Sequence, residues 1–189
     1  CTALCNCKRK SQRTPSNVSQ RHRREPEIPL APEALDAKGD SLTALVNEVF
    51  SDTHDVEVGA AVDEVTLTVH PDSIPEICRI LRDDPRFDFN YLRCISVVDY
   101  EDRFEVNYHL FSLDIRHKLV VKANVSPDEP AVPTAVDVWR GANWFERESH
   151  DLFGVVFTGH PDLAPLLLYE GFEGFPGRKS FPFHEYDEW

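Results

Sequence analysis

Three features that many chains carry are missing from this sequence. Methionine does not occur among the 189 residues, so we expect that residue 1 is not the natural start of the protein. No apolar run approaches the roughly 18 residues that a membrane-spanning helix needs. The basic residues near the N-terminus are not followed by an apolar segment, so the pattern of a secretory signal peptide is missing as well. The sequence therefore predicts a soluble protein.

Acidic residues are absent from residues 1–24, which contain seven basic residues and carry a charge of +7. The rest of the chain has 13 basic and 33 acidic residues and carries −20. A body this acidic repels nucleic acids and anionic lipid headgroups. The charge therefore argues against nucleic-acid binding, and it favours a protein partner whose surface supplies basic residues.

Cysteine is scarce, and the number of cysteines is odd. Of the five, Cys78 and Cys94 lie in apolar runs, which predicts reduced thiols in a cytosolic type of compartment. Cys1, Cys5 and Cys7 have a spacing that resembles metal ligands, but an iron–sulfur cluster of the usual type needs a fourth cysteine nearby. We therefore expect no cluster and no metal in this chain, and we interpret the three N-terminal cysteines as incidental.

Three regions of different composition divide the chain. Residues 1–35 are basic and then rich in proline, which is typical of a disordered tail. Residues 36–158 have the hydrophobic periodicity of a folded domain. Residues 159–189 contain four prolines and four glycines, so they cannot form long regular elements. Because this last region is also rich in leucine and aromatic residues, it needs a surface to lie on, and we predict an extended docking tail.

The periodicity of the central region predicts an α+β fold. The predicted elements are, in chain order, a helix that starts at Asp40 or Ser41, a strand at Val65–Val69, a helix that starts at Asp72 or Ser73 and ends at Pro85, strands at Tyr91–Val98, Phe104–Leu113 and Lys118–Val125, and a helix at Ala135–Phe153. Thr134 is a suitable N-cap for the last helix, and Gly154 is a suitable end. Short polar links predict antiparallel pairing of the last three strands. Helices should therefore pack on an antiparallel or mixed β-sheet.

The last predicted helix ends in a charged turn between aromatic residues. Glu146, Glu148 and His150 could ligate a metal or perform acid–base catalysis, as in a stand-alone metal-dependent hydrolase. A metal site needs three or four ligands, however, and no second cluster has matching spacing. Arg147 and Asp151 are four residues apart, so we expect them to pair on the helix surface. We favour an ion-paired helix end that positions a partner, and we keep the hydrolase as an alternative.

Two motifs in the tail also have competing interpretations. His160 precedes Pro161, and without a recognisable nucleophile we interpret this histidine as a corner residue that satisfies backbone groups. The glycine-rich run before Lys179 and Ser180 resembles a phosphate-binding loop, but Arg178 interrupts it and the following Phe-Pro pair forbids the helix that such a loop requires. We interpret Arg178 and Lys179 as a basic clamp for carboxylates of another chain.

Large aromatic residues accompany the charged turn. Trp139, Trp144 and Phe145 recur at helical spacing, and this pattern is most often found in a core. Some of them also suit an anchor at a protein interface. Both interpretations stay open at this point.

The charged turn and its surroundings match a family signature over about residues 91–183. The matching residues are Trp144, Phe145, Glu146, Arg147, Glu148, Asp151, Phe153 and Gly154, then Phe157, Gly159, His160, Pro161 and Leu163, and finally Arg178, Lys179, Phe181 and Pro182. Together they resemble the NuoC family, which supplies one subunit of proton-pumping NADH–quinone oxidoreductase, respiratory complex I. The chain differs from the usual pattern at Ser180, where the family has Asp, and at Ala164 and Pro165, where basic residues are usual.

The resemblance implies a subunit of the peripheral arm that has no catalytic residue and binds no cofactor itself. FMN, iron–sulfur clusters and quinone would belong to partner subunits. The implied partners are the D-like quinone-site subunit and the ferredoxin-like subunit that carries clusters. The signature residues would then form the family's partner interface. The implied location is the cytoplasmic face of the plasma membrane, which the chain would reach only through the complex.

A related assignment shares the same helix signature. The equivalent subunit of a membrane-bound hydrogenase, or of another ferredoxin-linked oxidoreductase, resembles this chain as well. The chain alone does not name the electron donor. Three hypotheses therefore follow from the sequence: the complex I subunit, which we favour, the hydrogenase-type subunit and the stand-alone hydrolase.

Overall fold

The computed structural model describes residues 35–50, 56–61 and 64–182. Its elements are, in chain order, α1 (Ala37–Phe50), β1 (Val56–Ala61), β2 (Glu64–Val69), a short 3₁₀ turn (Pro71–Ser73), α2 (Ile74–Asp83), β3 (Tyr91–Asp99), β4 (Phe104–Phe111), β5 (Lys118–Val125), β6 (Ala131–Pro133), α3 (Ala142–Phe153) and β7 (Val156–Thr158). The interpretation of Cys1, Cys5 and Cys7 lies outside the described residues, as does most of the predicted N-terminal tail.

A mixed five-stranded sheet forms the centre of the fold, with the strand order β1-β2-β5-β4-β3. β2 lies parallel to β5 and pairs Leu67 with Val121, whereas the other neighbours are antiparallel. The predicted α+β fold with a mixed sheet is confirmed. Sequence patterning misses β1, because Gly59, Ala60 and Ala61 are exposed and add no apolar alternation.

The predicted antiparallel links between β3, β4 and β5 are confirmed. The turn between β3 and β4 is closed by the backbone N–H of Tyr100, which donates to the carbonyl oxygen of Arg103 (3.0 Å). Glu101 adopts a left-handed φ of 73° in this turn. β4 ends at Phe111, two residues before its predicted end at Leu113.

Helices α1 and α2 bury the faces that their periodicity predicts. The buried residues are Leu42, Val46 and Phe50 of α1 and Ile74, Ile77, Cys78 and Leu81 of α2. They join the buried strand residues in one hydrophobic core, in which Leu67, Val106 and Val121 have no exposed surface. α1 starts at Ala37, three residues before the predicted start at Asp40.

A small parallel sheet joins the chain before α3 to the chain after it. β6 pairs with β7, and Val132 lies opposite Phe157. The backbone N–H of Thr134 extends this pairing and donates to the carbonyl oxygen of Thr158 (2.9 Å). Each strand has three residues, which is too short to give a periodic signal, so the sequence does not predict either of them.

The predicted start of the last helix is wrong. α3 begins at Ala142, whereas the sequence predicts a helix from Ala135 with Thr134 as its N-cap. Before α3 the chain forms a tight turn, in which the backbone N–H groups of Val138 and Trp139 both donate to the carbonyl oxygen of Ala135 (2.9 Å each). The chain therefore changes direction where the sequence pattern predicts a straight helix.

Tertiary hydrogen bonds explain this interruption. Nη1 of Arg82 donates to the carbonyl oxygen of Val138 (2.6 Å), which is the acceptor that a continuous helix would offer to the N–H of Ala142. That N–H donates to the carbonyl oxygen of Trp139 instead (2.9 Å). Gly141 lies at the same place and favours a helix only weakly. Contacts from another element thus override the local preference.

Candidate partner-docking site

Gly154 ends α3 in the left-handed conformation that the sequence predicts for this position. Its φ is 74°, and its N–H donates to the carbonyl oxygen of His150 (2.8 Å). A Cβ atom here would lie 2.6 Å from Cζ of Phe175 and 2.8 Å from Nη2 of Arg178. Glycine is therefore favoured by the backbone conformation, and the close approach of residues 159–182, which we call the C-terminal segment, leaves no room for a side chain.

Asp151 anchors the C-terminal segment to α3. Its Oδ2 atom accepts hydrogen bonds from the backbone N–H groups of Leu166 (3.2 Å), Leu167 (2.8 Å) and Leu168 (2.8 Å). Burial would raise the pKa of Asp151, but the three N–H donors favour the charged form and hold the pKa below its usual value. The carboxylate therefore stays ionised and fixes three consecutive residues of the segment.

Arg147 anchors the neighbouring part of the segment. Its Nε donates to the carbonyl oxygen of Ala164 and its Nη2 to that of Pro165, both at 2.9 Å. The guanidinium also lies 5.6 Å from the ring centre of Trp144. The predicted ion pair between Arg147 and Asp151 is wrong, because both side chains are directed at the backbone of the C-terminal segment.

Glu146 lies in the interior, although the sequence places it on a charged helix surface. Its side chain has no exposed area. Oε2 accepts a hydrogen bond from Oγ1 of Thr134 (2.6 Å), and Oε1 accepts one from the backbone N–H of Ala135 (2.7 Å). Burial raises the pKa of Glu146 to about 7. The side chain thus fixes the turn before α3.

His160 lies at the corner where the C-terminal segment begins. Its Nδ1 accepts a hydrogen bond from the backbone N–H of Asp162 (3.0 Å), so the predicted role in satisfying backbone groups is confirmed. Its Nε2 lies 3.9 Å from Oε2 of Glu146, and the side chains of both residues have no exposed area. Burial lowers the pKa of His160. The two side chains therefore lie side by side in the interior, but Nε2 of His160 makes no hydrogen bond to the residues that the structure describes.

Arg178 fastens the far end of the C-terminal segment. Its Nε donates to the carbonyl oxygen of Phe153 (2.7 Å). Its guanidinium carbon lies 5.0 Å from the ring centre of Phe104 and 4.6 Å from that of Phe175. The sequence interprets Arg178 as a clamp for another chain, but the structure engages it in contacts within its own chain.

Two further signature residues also contact the same chain. The backbone N–H of Lys179 donates to Oδ2 of Asp99 (2.8 Å), and its Nζ lies 3.8 Å from Oε1 of Glu101. The ring of Phe181 stacks on that of Phe172, with centroids 6.0 Å apart. The sequence predicts that Arg178 and Lys179 bind carboxylates of another chain, but the carboxylates near Lys179 belong to the end of β3 and the β3–β4 turn. The sequence gives no indication that this turn lies next to the C-terminal segment.

Several predicted interface residues remain at the surface. Trp144 is 62% exposed, and Leu167 and Tyr169 of the predicted docking tail are 60% and 71% exposed. The other exposed residues of the predicted site are Glu148, Gly159, Pro161, Lys179 and Pro182. Phe145 and Phe153 are half-buried and pack against the core, and Trp139 is buried. The aromatic residues therefore divide between the core and an exposed candidate anchor, Trp144.

The residues of the hydrolase alternative are not brought together for catalysis. Glu146 is directed at the turn before α3, whereas Nδ1 of His150 lies 2.9 Å from the carbonyl oxygen of Val155. Glu148 is exposed. Across residues 35–50, 56–61 and 64–182, no group of three or more His, Cys, Asp and Glu side chains is arranged to hold a metal ion.

Sequence reasoning misses the residues that receive the signature side chains. Thr134 is predicted as a helix cap, and its hydroxyl accepts a hydrogen bond from the N–H of Val136 (3.2 Å), but it also donates to Glu146. Phe104 is predicted only as a strand residue, but the guanidinium of Arg178 lies over its ring. Both depend on contacts between distant parts of the chain, for which a single sequence carries no spacing signal.

The fold and the site define an α+β domain whose last helix holds an extended aromatic segment through hydrogen bonds to its backbone. The model of one family, described as "Respiratory-chain NADH dehydrogenase, 30 Kd subunit", matches residues 67–187. The chain belongs to this family, and the resemblance found in the sequence is confirmed.

Relatives in several bacteria support the family membership. A C-type subunit of NADH-quinone oxidoreductase from Rhizobium etli is 43% identical over 148 residues, which cover 77% of this chain and 78% of that protein. The C-type subunit of the same enzyme from Roseiflexus castenholzii is 45% identical over 122 residues, which cover 63% and 70%.

Two solved structures have similar folds. A trypsin-resistant fragment of Nqo5 has a TM-score of 0.53 and 29% identity, and the match covers 64% of this chain and 98% of the fragment. A chain of the membrane-bound sulfane sulfur reductase, an archaeal respiratory membrane complex, has a TM-score of 0.65 and 25% identity. That match covers 75% of this chain and 86% of the other.

Proposed function

We propose that this chain is a scaffold subunit in the peripheral arm of NADH–quinone oxidoreductase, respiratory complex I. Family membership supports this proposal, as do relatives at 36–48% identity that are C-type subunits of NADH-quinone oxidoreductase. The complex would transfer electrons from NADH to quinone and couple this transfer to proton translocation. FMN, iron–sulfur clusters and quinone would be bound by partner subunits.

The proposed role is to position those partners. The observation that carries it is the anchoring of residues 164–168 on α3 by Arg147 and Asp151. Because this backbone is held within the chain, docking does not have to order it, and less conformational entropy is lost on association. Electron transfer slows steeply with distance between cofactors, so a subunit that fixes its neighbours supports the reaction without binding a cofactor.

The proposed partners are the two subunits that the resemblance implies. Trp144 and the C-terminal segment would dock on the D-like quinone-site subunit. The same chain would brace the ferredoxin-like subunit that carries clusters. Exposed aromatic and leucine side chains on an anchored backbone support such a role, since large rigid side chains contribute most of the binding energy at protein interfaces.

The proposed location is peripheral. Among the residues that the structure describes, every helix lacks the length and apolar character that crossing a membrane requires. We place the chain on the cytoplasmic face of the plasma membrane, where the complex would hold it.

The equivalent subunit of a membrane-bound hydrogenase or ferredoxin-linked oxidoreductase is the second candidate. The likeness to a chain of the archaeal sulfane sulfur reductase, at 25% identity, supports only a similar fold in another respiratory membrane complex and does not favour this candidate. The identity to the NADH-quinone oxidoreductase relatives reaches 48%, so we prefer the first candidate.

Purification of the native assembly tests the proposal. A tag on this chain should recover a large complex from solubilised membranes, and that complex should reduce quinone with NADH. The tagged chain recovered alone would contradict the scaffold role. A large complex that oxidises ferredoxin or hydrogen, but not NADH, would replace the first candidate with the second.

A further inference from the structure

The part of the C-terminal segment before Arg178 and Lys179 carries charge of one sign. Residues 155–177 contain Asp162, Glu170 and Glu173 but neither lysine nor arginine. All three acidic residues are exposed. This stretch is therefore negative on its own, besides the negative charge of the whole chain.

The two arginines beside this stretch are occupied by contacts within the chain. Arg147 donates to two backbone carbonyl oxygens of the segment. Arg178 donates to the carbonyl oxygen of Phe153 and lies over the rings of Phe104 and Phe175. Both guanidinium groups hold the segment in place. Oδ1 of Asp162 accepts a hydrogen bond from the backbone N–H of Ala164 (3.2 Å), and the exposed carboxylates of Glu170 and Glu173 can reach a partner.

Large apolar side chains accompany these carboxylates. Leu167 and Tyr169 are 60% and 71% exposed, and Trp144, which contacts Arg147 on α3, is 62% exposed. Next to Tyr169 lies a groove of about 180 Å³ between the end of α3 and the segment, lined in part by Asp151 and Phe172. Exposed apolar side chains on a fixed backbone, near acidic residues, are typical of an interface with an apolar centre and a charged rim.

We infer that the partner surface that meets residues 159–177 is a protein surface with an apolar centre and a rim of lysine and arginine. This inference rests on the proposed function and adds the chemistry of the partner. Carboxylates around apolar anchors attract a basic protein surface, whereas they repel the phosphates of nucleic acids and anionic lipids. Attraction between exposed charges weakens with salt, so ionic strength should affect this contact.

Reversal of two charges tests the inference. In the tagged full-length chain, Glu170→Lys combined with Glu173→Lys should reduce the fraction retained in the native assembly about tenfold at about 50 mM NaCl. For the unaltered chain, retention should fall between about 50 and about 300 mM NaCl, and the variant should lose this salt dependence. The matched control is Asp128→Lys with Glu129→Lys, which makes the same change of charge at exposed residues before β6; its retention should stay within about twofold of the unaltered chain.

The outcomes separate this inference from the proposed function. Equal loss in both double variants would assign the effect to net charge and overturn the inference, as would full retention of the Glu170/Glu173 variant. Leu167→Asp provides the second measurement, because it places a charge among the apolar anchors. If Leu167→Asp prevents assembly and the charge reversal does not, the C-terminal segment is a docking surface, but the inferred rim of lysine and arginine on the partner is wrong. If neither has an effect, the proposed docking surface is wrong. Thermal unfolding of each purified chain serves as the folding check, since all the changed residues are exposed.

Discussion

Arg147 and Asp151 lie one turn apart on α3, but each binds the backbone of the C-terminal segment instead of the other. The cation takes the carbonyl oxygens of Ala164 and Pro165, and the anion takes the N–H groups of residues 166–168. Five consecutive residues are thus fixed through their backbone N–H or C=O groups. Every amino acid except proline has both of these groups. The position of the segment therefore depends on the helix more than on the segment's own side chains.

Asp151→Asn should loosen the segment. The change removes the charge that strengthens three hydrogen bonds, so we expect the free energy of unfolding to fall by about 1–3 kcal/mol. Hydrogen exchange measured by mass spectrometry should become faster at Leu166, Leu167 and Leu168. The control is Asp128→Asn at an exposed position, where the free energy of unfolding should change by no more than about 0.5 kcal/mol. Unchanged exchange at the three leucines would show that Asp151 does not hold them.

Glu146 should make the chain less stable as the pH rises toward neutrality. Burial raises its pKa from the usual 4.5 to about 7. Between these pH values the folded chain keeps a proton on Glu146 that the unfolded chain has released. This contribution to stability is therefore complete below about pH 4.5 and is lost as the pH rises through about 7.

Glu146→Gln isolates this effect, since glutamine keeps an acceptor for the N–H of Ala135 but does not titrate. Urea unfolding of both proteins should show that the wild type loses stability relative to the variant between about pH 4.5 and about 7, with a constant difference outside this range. The lowered pKa of His160 acts in the opposite direction, because a histidine that resists protonation destabilises the fold at low pH. Because Nε2 of His160 lies 3.9 Å from Oε2 of Glu146, both proteins should also be compared with His160 replaced by Gln, which removes this contribution. A difference that does not vary with pH would contradict the prediction.

Gly154→Ala should destabilise the fold and release Arg178. The new methyl group would meet the ring of Phe175 at 2.6 Å, and the φ of 74° disfavours alanine. We expect a loss of about 1–3 kcal/mol in urea unfolding. Gly141→Ala is the matched control, because its φ is −64° and a Cβ there would have nothing within 4 Å. The control should change the free energy of unfolding by less than about 1 kcal/mol, and similar losses in the two variants would refute the steric explanation.

Substitutions of Trp144 and Trp139 should distinguish a loss of docking from a loss of stability. Trp144→Ala removes a side chain that is 62% exposed, so the isolated chain should lose no more than about 0.5 kcal/mol. Its recovery in the native assembly should nevertheless fall. Trp139 is 6% exposed, and its Nε1 donates to the carbonyl oxygen of Phe89 (3.0 Å), so Trp139→Ala should cost about 3–5 kcal/mol. Full assembly of the Trp144 variant would remove it from the interface.

The sequence predicts those parts of the fold that depend on local periodicity. α2 is the clearest case, because Ile74, Ile77, Cys78 and Leu81 recur at helical spacing and all four are buried. Gly154 is predicted equally well, since a left-handed helix end favours glycine irrespective of the rest of the fold. Such features need only neighbouring residues for their explanation.

Features that depend on distant contacts are not predictable in this way. The helix that the sequence begins at Ala135 starts instead at Ala142, because Arg82 of α2 takes the carbonyl oxygen of Val138. The spacing of Arg147 and Asp151 suggests an ion pair, but the C-terminal segment offers both residues better partners. The sequence predicts that this aromatic segment needs a surface to lie on. Part of that surface belongs to the same chain, because Phe175 and Arg178 approach Gly154 at the end of α3.

The parallel pairing of β2 with β5 has a consequence for biosynthesis. The register joins Val65 to Leu119, so β2 leaves the ribosome about fifty residues before its partner does. Until then, one edge of the antiparallel β1–β2 pair has no strand to pair with, and we expect the β3–β4–β5 meander to form from contacts close in sequence once β5 has emerged. We expect the pairing of β2 with β5 to be a late step of folding, and we expect chaperones to bind the unpaired edge of β2 in the nascent chain.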